Sequence, residues 1–189
     1  MNVFITGASS GIGLAMAKEF AKRGATLGLV ARNASKLDSA LPEIPAPREQ
    51  IHLFSVDVTD KEAMVRVAKE FEDLTGGADI VIANAGISHG VKTEYFEDLA
   101  MLEQIYKTNV FAMAYTFHPF IAPMKTRGRG QLVGIGSVAG IRGLPGSEAY
   151  CASKSAVITY CESLRVEMGK VGILVQTICP GFVKTELTA

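Results

Sequence analysis

Tyr150 and Lys154 stand four positions apart in a stretch of helical periodicity, so a helix would place both side chains on one face. Ser137 lies thirteen residues before Tyr150, at the end of an apolar run that predicts a strand. Open α/β sheets bind ligands at the carboxyl ends of their strands, and a helix beginning near Ser147 would bring its first turns back beside Ser137. A hydroxyl, a phenol and an ammonium would then converge. A free phenol, with a pKa near 10, is a poor base at neutral pH, but a nearby ammonium in a partly desolvated cleft favours its charged form and suits it to proton transfer.

A glycine-rich turn near the N-terminus could hold a phosphate-bearing ligand. The first predicted strand runs directly into Thr6-Gly7-Ala8-Ser9-Ser10-Gly11-Ile12-Gly13, and a helical pattern follows. Glycine tolerates the dihedrals of such a turn, and the N–H groups at a helix start favour a pyrophosphate. The spacing is G-x-x-x-G-x-G rather than the G-x-G-x-x-G of the general dinucleotide fingerprint, so a purely structural turn is the alternative.

Arg32 lies nineteen residues after Gly13, at the end of the second predicted strand. A NAD site is expected to have an Asp or Glu here, on the ribose 2′-hydroxyl. A guanidinium cannot accept that hydrogen bond, but it pairs well with a 2′-phosphate. The residue therefore favours NADP over NAD, with a solvated arginine at a strand end as the alternative.

Six apolar, β-rich runs alternate with helical segments and would position these groups. The runs are apolar on successive residues, as in Val3-Phe4-Ile5, which is what strands buried on both faces require. They are Asn2 to Thr6, Thr26 to Ala31, Ile51 to Val56, Asp79 to Asn84, Gln131 to Ser137 and Ile173 to Cys179. The pattern predicts an α/β fold with a parallel sheet between layers of helices.

Helices are predicted where apolar residues return every three or four positions. The first ends at Gly24, and another has Asp60 as its N-cap and ends near Gly76-Gly77. Two long helices are predicted over about Leu99 to Lys125 and Ser147 to Met168. The stretch from Leu41 to Gln50 holds three prolines and predicts a surface connection.

Length and composition predict one compact domain over residues 1–189, with 48% apolar residues. Lys and Arg total 19, as do Asp and Glu, so no basic excess favours a nucleic-acid partner. We expect no membrane span, no positively charged leader and no metal site. Three cysteines without a zinc-type spacing favour a reduced, cytoplasmic protein. These cysteines are Cys151, Cys161 and Cys179.

Taken together, the motifs resemble the short-chain dehydrogenase/reductase family over the whole chain. They match in order and at familiar separations: Thr6-Gly7-x-x-x-Gly11-x-Gly13, Asp57-Val58, Asn84-Ala85-Gly86, Asn109, Ser137, Tyr150-x-x-x-Lys154 and Pro180-Gly181. The resemblance implies a doubly wound, three-layer, Rossmann-like parallel sheet. It also implies an NAD(P)-dependent oxidoreductase that interconverts a carbonyl and a secondary alcohol.

The resemblance also implies a role for each matching residue. Tyr150 would be the general acid or base, Ser137 would hold the substrate oxygen, and Lys154 would bind the nicotinamide ribose and assist the phenol. Asn109 would help hold a water that links Lys154 to solvent. Cofactor contacts are expected from Thr6, Gly7, Ser9, Ser10, Gly11, Ile12, Gly13, Arg32, Asn33, Asp57, Val58, Asn84, Ala85, Gly86, Tyr150, Lys154, Pro180, Gly181, Val183 and Thr185.

Three of these motifs also have plain structural interpretations. Asn84 could tie two strands together, Asp57 could cap a turn, and Pro180-Gly181 could be a turn that ends a strand. His52, His89 and His118 are scattered, and we predict surface or packing roles for them.

The chain departs from the family in length, because members commonly run to about 250 residues. We therefore expect the last strand and the segment that covers the substrate to be missing. Family members pair through the two long helices, which predicts a homodimer or homotetramer. Apolar residues near the expected pocket favour an apolar carbonyl or alcohol, with Arg142 as the nearby cation. They are Val138, Ala139, Ile141, Leu144 and Phe182.

Two other functions stay open from the sequence. One is an epimerase or dehydratase that uses the same tyrosine with a permanently bound NAD, although Arg32 and the glycine spacing argue against it. The other is a nucleotide-sensing protein that keeps the fold without turnover, because fold alone does not decide function.

Overall fold

A computed structural model describes residues 1–184, which contain a six-stranded, all-parallel sheet. The strands lie side by side in the order β3-β2-β1-β4-β5-β6. Their bounds are β1 (Asn2–Thr6), β2 (Thr26–Ala31), β3 (Ile51–Ser55), β4 (Ile80–Ala83), β5 (Gly130–Ile135) and β6 (Ile173–Ile178). The order reverses between β1 and β4, which is where open α/β sheets form a ligand crevice.

Helices cover both faces of the sheet, so the predicted α/β fold with three layers is confirmed. They are α1 (Gly11–Lys22), α2 (Ala34–Ala40), α3 (Lys61–Thr75), α4 (Leu99–Tyr106), α5 (Ala112–Arg127) and α6 (Glu148–Gly169). Successive strand residues point to opposite faces. Val3 and Ile5 pack in the core cluster beneath α1 and α2, whereas Phe4 packs in the cluster beneath α3, α5 and α6. This division explains why the strand is apolar at every position.

Aromatic rings fix α3 and α5 on the sheet. The ring centroid of Phe4 lies 5.4 Å from that of Phe71 on α3 and 4.9 Å from that of Phe120 on α5, in the tilted arrangement that aromatic pairs prefer. Gly28 of β2 leaves room for these rings, because a Cβ there would lie 2.7 Å from the Phe4 ring and 2.8 Å from the Phe71 ring. The positions of both helices on this face therefore depend on the packing of rings between them and the strands.

The predicted helix over Leu99 to Lys125 is not continuous. A π-helical turn at Lys107–Phe111 separates α4 from α5. Its wider turn accommodates an extra residue and rotates the side chains relative to a regular helix. Asn109, in the middle of the turn, is buried at 3% exposure. Hydrophobic periodicity did not reveal this turn, because its residues still fit a helical pattern.

The carboxyl ends of four strands come one or two residues earlier than the sequence predicted. Val56, Asn84, Ser137 and Cys179 lie beyond the last strand residues of β3, β4, β5 and β6. At this edge the chain leaves the sheet to form loops that surround a cleft. The predicted surface connection at 41–50 contains two short 3-10 turns, Leu41–Glu43 and Arg48–Gln50.

The predicted signals at the ends of α3 are confirmed. The Asp60 carboxylate accepts a hydrogen bond from the Ala63 N–H at 2.9 Å, and Gly76 ends the helix with a φ of 74°. Within residues 1–184, none of the helices combines the length and apolarity that crossing a bilayer would take.

Candidate active site

A cleft of about 1070 Å³ opens along the carboxyl edge of the sheet. Its walls include the glycine-rich turn after β1, the end of β2 and the loops after β3, β4, β5 and β6. Ser137, Tyr150 and Lys154 line this same cleft. The three residues whose convergence the sequence suggested therefore share one cavity with the phosphate-binding candidate.

Glycine is required at two points of the turn between β1 and α1. Gly7 has a φ of 66°, in the left-handed region that glycine favours. A Cβ at Gly13 would lie 2.1 Å from the Gly7 carbonyl oxygen and 2.7 Å from Asn84 Nδ2, closer than atoms can approach. The turn is therefore folded back on its own helix, and a larger residue at Gly13 would open it.

Asn84 ties the glycine turn to β4, as the structural interpretation predicted, and it also lines the cleft. Its Nδ2 donates to the carbonyl oxygens of Thr6 at 3.0 Å and Gly7 at 3.1 Å. The Thr6 hydroxyl oxygen in turn accepts the backbone N–H groups of Asn84 and Ala85 at 3.1 and 3.2 Å. These four hydrogen bonds hold the turn against the neighbouring strand.

The start of α1 and the charges around the cleft fit a dinucleotide. In the described part of the chain, no side chain caps the N–H groups at Ser10, and the first turn carries no acidic residue. A phosphate can therefore approach these N–H groups along the favourable direction of the helix dipole. Among the described lining residues, three cations face one carboxylate: Arg32, Lys36 and Lys154 against Asp57.

The far end of the cleft is formed where β2 leads into α2. Arg32, exposed to solvent, lies there beside Asn33, whose side chain accepts from the Lys36 N–H at 3.0 Å and the Ser35 hydroxyl at 2.7 Å. Asp57 caps a turn, as its structural interpretation predicted. Its carboxylate accepts from the N–H and the hydroxyl of Thr59 at 2.9 and 2.8 Å.

Lys154 is 5% exposed, and its ammonium donates a hydrogen bond to the Ile135 carbonyl oxygen at 2.7 Å. The ammonium nitrogen lies 5.9 Å from the centroid of the Tyr150 ring. The loop after β5 packs directly against the backbone of α6 at Gly140. A Cβ at Gly140 would lie 2.7 Å from the Lys154 carbonyl carbon, so only glycine allows this close approach. This contact returns the first turns of α6 to the side of Ser137, as predicted.

Burial lowers the pKa of Lys154 from 10.5 to about 8, and the nearby Cys179 thiol opposes part of this shift. The amine therefore carries its charge at neutral pH but loses it under mildly alkaline conditions. Ile135 is its one hydrogen-bond acceptor within the described residues, although an ammonium has three N–H donors. Ribose hydroxyls are acceptors of the kind that the remaining donors require.

Ser137 sits where β5 and β6 continue to pair beyond their last strand residues. The Gly136 N–H donates to Ile178 at 2.7 Å, and the Val138 N–H donates to Pro180 at 3.1 Å. These bonds bring the Pro180-Gly181 segment beside Ser137. The serine oxygen accepts the Ala139 N–H at 3.1 Å, and no acceptor among residues 1–184 takes its own proton, which can be donated to a ligand oxygen.

Asn109 lies behind the cleft wall, where its carboxamide binds the loop after β4. Its Oδ1 accepts the Ile87 N–H at 2.8 Å, and its Nδ2 donates to the Ile87 carbonyl at 3.0 Å. Nδ2 also donates to Ser153 Oγ at 2.9 Å. The π-helical turn makes this contact possible by directing Asn109 inward.

Most of the predicted cofactor residues line the cleft, but Thr6 and Gly13 support its walls instead, and Thr185 lies outside the described residues. Asn109, predicted as a catalytic residue, also lies outside the lining. Sequence reasoning missed Ser153, although its three-residue spacing from Tyr150 places it beside that residue on α6. It also missed the lining residues Ala31, Ala34, Ser35, Lys36, Ser55, Val56, Ile87, Thr108, Ile135 and Gly136.

The sequence model of the family described as short chain dehydrogenase matches residues 1–189. The chain belongs to the short chain dehydrogenase family. Among its relatives is an "uncharacterized oxidoreductase" of Myxococcus xanthus (strain DK1622), 38% identical over 185 residues, which are 98% of this chain and 73% of the relative. Gluconate 5-dehydrogenase of Gluconobacter oxydans (strain 621H) is 35% identical over 184 residues, covering 97% of this chain and 72% of that enzyme.

Solved structures agree with this assignment. Levodione reductase superimposes with a TM-score of 0.93 at 29% identity, covering 99% of this short chain dehydrogenase and 73% of that chain. ElxO with NADP bound superimposes with a TM-score of 0.89 at 31% identity, covering 98% and 75% respectively. This short chain dehydrogenase is therefore an NAD(P)-dependent oxidoreductase.

Proposed function

We propose that this short chain dehydrogenase interconverts a carbonyl compound and a secondary alcohol, with NADP(H) as its cofactor. The observation that carries the proposal is the shared cleft, in which Ser137, Tyr150 and Lys154 lie together with the glycine-rich turn. NADP(H), when bound, supplies or accepts the hydride. The chain's own task is then to orient the substrate and to manage one proton.

Tyr150 is the residue that we assign to proton transfer. During reduction its hydroxyl donates a proton to the carbonyl oxygen, and during oxidation the phenolate accepts a proton from the alcohol. Ser137 donates its free hydroxyl proton to the same substrate oxygen and holds it in place. The Lys154 ammonium, 5.9 Å from the Tyr150 ring, favours the phenolate through its charge.

The preference for NADP rests on the side chains at the end of β2. Arg32, Ser35 and Lys36 line this part of the cleft, and none of them is a carboxylate that would accept a ribose 2′-hydroxyl. A guanidinium and an ammonium favour a 2′-phosphate instead. The similarity to ElxO, whose structure holds NADP, supports the same choice.

An apolar substrate is supported by the exposed side chains around the loop after Ser137. Val138 is 43% exposed, Ile141 69%, Leu144 43% and Phe182 93%. Ala139, which the sequence also suggested, is buried and does not add to this surface. Apolar residues around a few polar groups are typical of small-molecule sites.

We also propose that the protein is a homodimer or homotetramer that pairs through α6 and through α4, the π-helical turn and α5. Support comes from apolar side chains left exposed there, with Phe111 at 51% and Val166 at 68%. Sedimentation analysis of a Phe111→Asp variant would test this pairing.

A reducing, cytoplasmic location is proposed from the three free cysteines, Cys151, Cys161 and Cys179.

The proposed reaction can be tested by following NADPH consumption with a panel of aliphatic and aromatic aldehydes and ketones. We expect Tyr150→Phe to lose at least about 100-fold in kcat while it still binds NADPH, because it removes only the proton donor. Tyr160→Phe is the matched control, since Tyr160 lies on α6 and is 38% exposed. Equal rates in the wild type and Tyr150→Phe would remove the assigned acid. Activity confined to NADH would contradict the cofactor choice, and NAD that copurifies tightly would favour an epimerase or dehydratase.

A further inference from the structure

Ser153 connects the π-helical turn to the helix that carries Tyr150 and Lys154. It is fully buried, at 0% exposure. Its hydroxyl donates to the Tyr150 carbonyl oxygen at 2.8 Å and accepts from Asn109 Nδ2 at 2.9 Å. One side chain thus joins two elements that are 44 residues apart in sequence.

The directions of these hydrogen bonds are fixed by chemistry. The Tyr150 carbonyl can only accept, so the Ser153 proton must point to it and a Ser153 lone pair must face Asn109. Asn109 must then present its NH₂ group to Ser153 and its Oδ1 to the Ile87 N–H, which matches the observed contacts. The series of hydrogen bonds therefore has one donor-to-acceptor direction, from the Ile87 N–H to the Tyr150 carbonyl. Both amide protons of Asn109 are used, one on Ser153 Oγ and one on the Ile87 carbonyl.

The same carboxamide and the Lys154 ammonium both lie next to Gly86. A Cβ at Gly86 would be 3.2 Å from Asn109 Oδ1 and 3.5 Å from Lys154 Nζ, so both polar atoms flank this glycine. Gly86 and Ile87 line the cleft. A rotation of Asn109 would therefore disturb the loop after β4 and the surroundings of Lys154 together.

We propose that Ser153 is a positioning residue, which holds the first turns of α6 in register with the loop after β4 and so places Tyr150 for proton transfer. This inference rests on the proposed function, in which Tyr150 is the acid or base. Ser153 itself does not line the cleft. If the Ser153 hydroxyl were removed, Asn109 would keep its two hydrogen bonds to Ile87 but would lose its hydrogen bond to α6.

Because Ser153→Ala would remove the bond to α6 but leave the bonds to Ile87, it should change kcat more than KM. We expect kcat to fall about tenfold or more, because small displacements of a catalytic group are costly. The KM for NADPH should stay within about twofold of wild type, since the bonds that hold Ile87 remain. Ser155→Ala is the matched control, because Ser155 lies on the same helix and is exposed. Ser153→Thr keeps a hydroxyl and should restore most of kcat.

The experiment measures steady-state NADPH oxidation with the carbonyl that the wild type reduces fastest. The positioning role would be overturned if Ser153→Ala kept the wild-type kcat, whether or not its KM for NADPH rose. If Ser153→Ala does not fold, Ser153→Cys takes its place. Its weaker hydrogen bonding predicts a several-fold loss of kcat at unchanged KM, and wild-type kcat would overturn the proposal. An inactive wild type would instead remove the proposed function, so the two failures are distinguishable.

Discussion

The ammonium of Lys154 and the carbonyl oxygen of Ile135 are joined by a hydrogen bond of 2.7 Å between α6 and the last residue of β5. The bond holds the ammonium beside Ile135, which is two residues before Ser137 in the sequence. Lys154 itself follows Tyr150 by one helical turn. It also keeps a charged group where only 5% of the residue meets solvent. The burial that lowers the pKa of this amine also makes its protonation costly for the fold.

Replacement of Lys154 by Met should change how stability depends on pH. The pKa of Lys154 is about 8 in the folded protein and near 10.5 in the unfolded chain. Below pH 8 the folded and the unfolded protein both hold the proton, and the free energy of unfolding carries the full cost of burying the charge. As the pH rises from 8 to 10.5, the folded protein releases the proton and this cost decreases. We expect Lys154→Met to be more stable than wild type by about 1–3 kcal/mol at pH 7, and the difference to fall below about 1 kcal/mol at pH 10.

Urea unfolding of both proteins at pH 7 and pH 10 measures this difference. Lys170→Met is a suitable control, because Lys170 is exposed at the end of α6. A constant difference between Lys154→Met and wild type across this range would contradict the buried charge.

Reversal of charge at Arg32 should weaken NADPH binding selectively. A carboxylate in Arg32→Glu would repel a 2′-phosphate and would accept a ribose hydroxyl. We expect the dissociation constant for NADPH to rise about 10- to 100-fold and that for NADH to change less than about threefold. Fluorescence titration measures both constants. Arg66→Glu, an exposed position on α3, makes the same charge change far from the cleft and should leave both unaltered.

A methyl group at Gly13 should disrupt the glycine turn. The Cβ of Gly13→Ala would meet the Gly7 carbonyl at 2.1 Å, so the turn would have to move away from α1. We expect a loss of about 2 kcal/mol or more in unfolding free energy and no measurable NADPH binding. In contrast, a Cβ at Gly169 meets no atom within 4 Å. Gly169→Ala should be neutral or stabilise by up to about 1 kcal/mol, as thermal melting would show.

The partly buried ion pair between Glu72 and Arg127 should contribute more than the surface pairs. Arg127 donates to Glu72 and to the Ala78 carbonyl, both at 2.8 Å, and Glu72 also accepts the Ala78 N–H at 2.7 Å. Arg127→Ala would leave a carboxylate that is only 14% exposed without its cation. We expect a loss of about 2–3 kcal/mol in denaturant unfolding. Lys69→Ala, which breaks an exposed pair with Asp73, should cost less than about 1 kcal/mol.

The strands could be predicted because burial on both faces leaves a direct mark on the sequence. Val3, Phe4 and Ile5 are apolar in succession since each meets one of two cores. The strand ends could not be placed as well, because Asn84 and Ser137 serve the cleft rather than the sheet. Composition gives no signal for the residue at which pairing stops.

The catalytic candidates could be named from spacing and resemblance, but their supporting residues could not. The π-helical turn around Asn109 depends on tertiary contacts with Ile87 and Ser153, and no local pattern encodes it. Ser153 is an ordinary helix residue by type. Only its complete burial and its two partners distinguish it from the exposed Ser155.

The hydrogen bonds between Asn84 and the glycine turn have a consequence for synthesis on the ribosome. Thr6 and Gly7 emerge early, but the amide that holds their carbonyls follows 77 or 78 residues later. Forming this contact requires closure of a long segment, so the glycine turn lacks these hydrogen bonds until Asn84 has been synthesised. A nascent chain released before Asn84 would carry the glycine turn without the amide that holds the Thr6 and Gly7 carbonyls.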